Sequence, residues 1–67
     1  PLTFDEALTL FANWLGTTRA KVRETWWDRR DQFYRTAGKA SHSDTGGNHA
    51  DFQRMREALR LLDAELK

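Results

Sequence analysis

The sequence predicts an all-α fold of three helices, and three observations carry that prediction. Apolar residues recur at helical spacing in three stretches, separated by breaks that contain glycine and small polar residues. No run of four or more residues alternates apolar and polar with β-branched enrichment, and isoleucine is absent. The 67 residues include no cysteine, so neither disulfides nor a thiolate zinc site can staple a chain whose apolar share is only 39%. Helix packing must hold it, and a chain this short forms one domain, residues 1–67.

The first helix is predicted over about residues 4–15. Thr3-Phe4-Asp5-Glu6 has the form of a capping box, and Asp5 and Glu6 suit the positive end of the helix dipole. Phe4, Leu8, Phe11 and Leu15 then recur on one stripe, with Ala7 and Trp14 beside it, until Gly16 offers a left-handed stop. The second helix, about 19–40, is capped by Thr17 or Thr18 and contains no proline. Val22, Trp26, Phe33 and Ala37 lie near one stripe, with Trp27 and Tyr34 one position round. Gly38 is expected to weaken its last turn. Ser41 through Asn48 is dense in turn formers and reads as a loop. Asn48 and Asp51 then open a third helix, about 49–66, with Phe52, Met55, Leu59, Leu62 and Leu66 on a single apolar stripe. Two long helices joined by a compact loop are expected to lie antiparallel as a hairpin, with the first helix packed over their seam. Phe11, Trp26, Phe33 and Phe52 would fill most of the core.

Charge is uneven although the net value is only +1. Between residues 19 and 39, Arg19, Lys21, Arg23, Arg29, Arg30, Arg35 and Lys39 stand against Glu24, Asp28 and Asp31, so an acidic partner can meet the second helix. A mean hydropathy of −0.82 and no apolar run longer than three residues exclude a membrane span and a signal-peptide hydrophobic region. The expectation is a cytoplasmic protein. The opening Pro1-Leu2, without methionine, reads as a processed chain or a piece of something longer.

Catalytic and metal chemistry find little support. His42, Asp44, His49 and Asp51 are ligand types at a spacing that matches no defensible metal pattern, so no metal or other cofactor is expected. Ser41 and Ser43 flank His42 without a third orienting group, and no nucleophile elbow is present, so the chain does not read as an enzyme. Nucleic-acid binding is a fairer rival, because arginine and tryptophan interleave in the second helix. Three carboxylates interrupt that stripe, and the loop is about twice as long as a helix-turn-helix motif allows.

The second half of the chain carries a more specific pattern. Tyr34, His42, Asp44, Gly46, Gly47, Phe52, Met55, Glu57, Ala58 and Leu62 fall without a gap into the register of a long helix, a His-x-Asp loop and a third helix. This pattern resembles the J-domain of DnaJ-type co-chaperones, and Leu15-Gly16 is similar to the Leu-Gly that closes that family's first helix. The resemblance implies a three-helix J-domain-like fold and a module that docks on a DnaK-type chaperone and promotes its ATP hydrolysis. It implies partner contact at His42, Ser43 and Asp44 in the loop and puts Arg35 at a basic position of the pattern; with the local charge, Arg29, Arg30, Arg35 and Lys39 are the candidate contact face on the second helix. Ser43 stands where the family has proline, and Asp31, Gln32 and Thr36 stand where lysine or arginine is common. Proline presets a turn that serine leaves freer. The alternatives are therefore a degenerate J-like adaptor or regulator without ATPase stimulation, or a nucleic-acid-contacting module that uses the basic second helix.

Overall fold

A computed structural model describes residues 1–41 and 49–67. It contains three helices in chain order, α1 (Phe4–Leu15), α2 (Arg19–Ser41) and α3 (His49–Glu65), and the fold is all-α. The boundaries follow local chemistry. The Thr3 amide donates to Glu6 Oε1 at 3.0 Å and the Glu6 amide donates to Thr3 Oγ1 at 3.2 Å, which closes the capping box. Those bonds, the backbone one first, hold the Glu6 carboxyl below the usual carboxylate range. At the far end Gly16 takes φ 67°, a left-handed conformation that a Cβ disfavours, and the Thr17 amide returns to the Ala12 carbonyl at 2.9 Å. Of the two threonines that follow, Thr18 caps α2, its Oγ1 accepting from the Lys21 amide at 3.1 Å.

The three apolar stripes meet in one core. Ala7, Leu8, Phe11 and Ala12 of α1 pack with Val22, Trp26, Phe33 and Ala37 of α2 and with Met55, Ala58 and Leu62 of α3. Trp26, fully buried, sits edge-on to the Phe11 ring with centroids 5.2 Å apart. That arrangement aims the positive ring edge of one at the negative face of the other. Pairings between α2 and α3 run in opposite chain directions: Trp27 meets Leu66, Arg30 meets Asp63, and Gly38 lies beside Met55 and Phe52. The two long helices are thus antiparallel, and α1 contributes a buried face to the core of both.

Three expectations need correction. The α3 stripe centres on Met55, Ala58 and Leu62, while Phe52, Leu59 and Leu66 are half-buried at its edge. α3 packs against two helices, so its buried face turns toward Ala58, a small residue that lets a neighbouring helix approach. Phe52 consequently borders the core rather than filling it. Ser41, expected in the loop, is the last residue of α2 and is buried, its hydroxyl donating to the Ala37 carbonyl at 2.8 Å. A small side chain that satisfies its own polar atom one turn back can be buried without another partner.

Gly38 does not end the helix. A Cβ built there would meet Met55 Cε at 3.6 Å and Phe52 Cε1 at 3.9 Å, both ordinary van der Waals contacts. Gly38→Ala is therefore expected to stabilise the protein by about 0.5–1 kcal/mol, through helix propensity and lower unfolded-state freedom. Urea denaturation should show a higher midpoint at unchanged slope. A lower midpoint would mean that Met55 and Phe52 cannot accommodate the methyl group.

Candidate functional site

The candidate contact residues of α2 are placed by the helix repeat. With Val22, Trp26, Phe33 and Ala37 inward, the step of about 100° per residue turns Arg30 toward α3 and leaves Arg29, Arg35 and Lys39 on the outer and opposite sides. Arg29, Arg35 and Lys39 are exposed. Arg30 is half-buried and engaged: its Nε donates to Asp63 Oδ1 at 2.7 Å and its Nη2 to Asp63 Oδ2 at 2.6 Å. This fork-on-fork pair is the strong geometry for arginine and carboxylate. Trp26 Nε1 donates to the same Asp63 Oδ1 at 2.9 Å, and Arg30 Nη1 also reaches Asp31 Oδ1 at 3.3 Å. Arg30 thus serves the join between α2 and α3, while the other three cations stay on the surface. His42, Ser43 and Asp44 lie outside the described residues.

Asp63 is the residue that sequence reasoning missed. Arg30 hydrogen bonding holds its carboxyl below the usual carboxylate range, more than offsetting the opposing effect of burial, and the Trp26 N–H adds to the same direction. The guanidinium of Arg30 is raised in return, chiefly by the Asp63 hydrogen bonds. The available signal was indirect. A tryptophan at the centre of a small core needs an acceptor for its N–H, and Asp63 sits next to Leu62 on the predicted stripe.

Two aromatic residues stand out on the surface. Trp27 is 55% exposed and Tyr34 39% exposed, and they lie seven residues, two turns, apart on one side of α2. Trp27 is held in place by its indole N–H, which donates to the Leu66 carbonyl at the end of α3. A hollow beside Trp27 is lined by Asp28 and Asp31 together with Arg29, Arg30 and Arg35, so its charge is mixed. At the start of α3, His49 Nε2 lies 3.1 Å from Gln53 Nε2, one turn on. Among the described residues, no three histidine, aspartate or glutamate side chains converge where a metal ion would sit. None of the described helices is long and apolar enough to cross a membrane. No family model, curated protein or solved structure matches the chain.

The lowered Asp63 pKa makes stability depend on acid. A carboxyl titrating near 3.9 when unfolded and lower when folded contributes fully above the unfolded value, and its contribution drains away as pH falls through the folded one. Asp63→Asn keeps an acceptor oxygen for Trp26 and removes the charge. The variant should be less stable than the parent by about 1–2 kcal/mol near neutral pH, a figure reduced for the partial exposure of the pair. The gap should narrow as pH falls below the unfolded carboxylate value and through the lower folded one, where the parent carboxyl becomes protonated. Urea denaturation of both proteins across that range checks it, and parallel profiles would show that Asp63 is not ion-paired in solution.

Proposed function

We propose that the chain is a J-domain-like protein-interaction module that docks on a DnaK-type chaperone, with His42, Ser43 and Asp44 in the connecting loop and the outer side of α2 as its contact elements. The observation that carries the reading is the outer half of α2 itself. It exposes Trp27, Tyr34 and Arg35 in a chain that otherwise keeps its large apolar side chains buried or half-buried. Tryptophan, tyrosine and arginine are the residue types that dominate protein-contact energetics, because they combine large area with polar reach. Tyr34 is also one of the positions in register with the J-domain pattern, and the antiparallel α2 and α3 lead into and out of the loop that bears the His-Ser-Asp tripeptide.

The docking logic is electrostatic steering followed by contact. Arg35 and Lys39 provide a positive outer side that draws in an acidic surface, with Arg29 on the flank toward α1, and the aromatic pair supplies area that loses water on docking. Asp28 and Asp31 in the hollow beside Trp27 make it a poor track for a phosphate backbone, which favours a protein over a nucleic acid.

A second reading is favoured by a specific observation. Arg30 is committed to Asp63, which thins the basic side of α2, and Ser43 stands where the resembled family has proline, so the module would bind without stimulating ATP hydrolysis. Single-turnover ATP hydrolysis by a DnaK-type chaperone separates the two. The co-chaperone reading expects stimulation by the parent that His42→Gln abolishes and that Arg29→Glu with Arg35→Glu weakens in a salt-dependent way. Silence from the parent with recovery in Ser43→Pro would support the adaptor reading. If every variant is silent while circular dichroism confirms the fold, the co-chaperone reading is wrong and the adaptor reading stands.

A further inference from the structure

On the side of α2 away from Trp27 and Tyr34, the helix and the end of α1 enclose a groove of about 290 Å³. The helix repeat sets the two regions roughly 160° apart around α2. Lys21 and Arg29 line it with their cationic side chains, Gln32 and Thr36 add N–H and O–H donors, and Leu15 and Phe33 supply apolar surface. Among the described residues no carboxylate lines this groove, and neither Lys21 nor Arg29 is paired with one. Hollows elsewhere mix their charges: Arg19 and Arg23 share one with Asp5 and Glu24, and Arg54 shares another with Asp5 and Glu6. Cationic side chains beside apolar surface ask for a ligand with both characters.

Spacing narrows the class. Lys21 and Arg29 are eight residues apart, about 12 Å along the axis, and an incoming α-helix returns its own residues to one side at i, i+7 and i+8, about 10 to 12 Å apart. A single nucleic-acid strand offers a charge about every 3.4 Å along its length and wants a continuous row of cations, which two residues do not provide. The geometry points to a second docking site, in which this groove receives an acidic amphipathic helix of a partner protein, two carboxylates reaching Lys21 and Arg29 and the apolar side chains between them resting on Leu15 and Phe33. The helix-in-groove mode then adds a fourth helix to the bundle. The site lies apart from the contact residues of the chaperone reading except at Arg29, and it stands or falls independently of that reading.

The test uses two synthetic helical peptides that differ only in carrying two glutamates or two lysines eight residues apart, with leucines between, titrated into isotope-labelled protein and followed by amide chemical shifts. The glutamate peptide should shift Leu15, Lys21, Thr25, Gln32 and Thr36 while leaving Trp27 and Tyr34 unmoved, and the lysine peptide should bind at least tenfold more weakly. Lys21→Glu with Gln32→Glu, which leaves Trp27, Tyr34, Arg29 and Arg35 in place, should lower affinity for the glutamate peptide at least tenfold at an unchanged melting temperature. Should that double variant unfold, Lys21→Gln alone gives the same comparison with a smaller loss. Equal binding of the two peptides, shifts confined to the Trp27 and Tyr34 side, no shifts at all, or a single-stranded oligonucleotide that outcompetes the glutamate peptide would each overturn the proposal.

Discussion

A tryptophan at the centre of a small core brings one polar atom with it, and much of this structure follows from where that atom is satisfied. The Trp26 indole gives the core a large part of its buried area, but its N–H must find an acceptor or cost about 1–3 kcal/mol. Asp63 supplies that acceptor from α3. A half-buried carboxylate in turn needs a cation, and Arg30, one turn beyond Trp26, closes the set with two hydrogen bonds. Because Trp26 and Arg30 belong to α2 and Asp63 to α3, the three residues fix how far along one helix the other can sit. A shift by one turn would strand both the indole and the carboxylate.

Small residues complete the arrangement at the other end of the pair. Gly38 lies against Met55 and Phe52, and buried Ala37 and Ala58 keep the helices close there. α1 then covers the core with Ala7, Leu8, Phe11 and Ala12 and leaves the outer half of α2 uncovered. A long helix with one side spent on packing and the rest exposed is a natural contact element. The division also explains why cations that look equivalent in the sequence play different parts: Arg30 joins two helices, whereas Arg29 and Arg35 stay exposed.

Local chemistry was the readable part of the sequence. The start of α1 is set by Thr3 with Glu6 and its end by Gly16, each acting within a turn of its own position, and the buried residues of α2 follow from the helical period. Contacts distant in sequence were not readable in the same way. Asp63 and Arg30 are 33 residues apart, and nothing in the spacing of either announces the other. The rotation of α3 that half-exposes Phe52 and buries Ala58 depends on α1 packing against it, which a one-helix periodicity cannot contain. Ser41 looked like a turn residue because serine competes with the backbone for hydrogen bonds, and here that same competition, directed at the Ala37 carbonyl, lets it end a helix inside the protein. Of the candidate contact residues, the α2 cations were legible as a group, but which of them is tied up inside became visible only in three dimensions.

The central claim is that Arg30 and Asp63 act as one unit that sets the pairing of α2 with α3. A double-mutant cycle with Arg30→Met, Asp63→Ala and the combined variant, measured by urea denaturation at neutral pH, addresses it most directly. The account predicts a coupling of about 1–2 kcal/mol, with the double variant less damaged than the two single losses together imply. Additivity within about 0.3 kcal/mol would mean that the two residues do not depend on each other and that something else holds the helices in register.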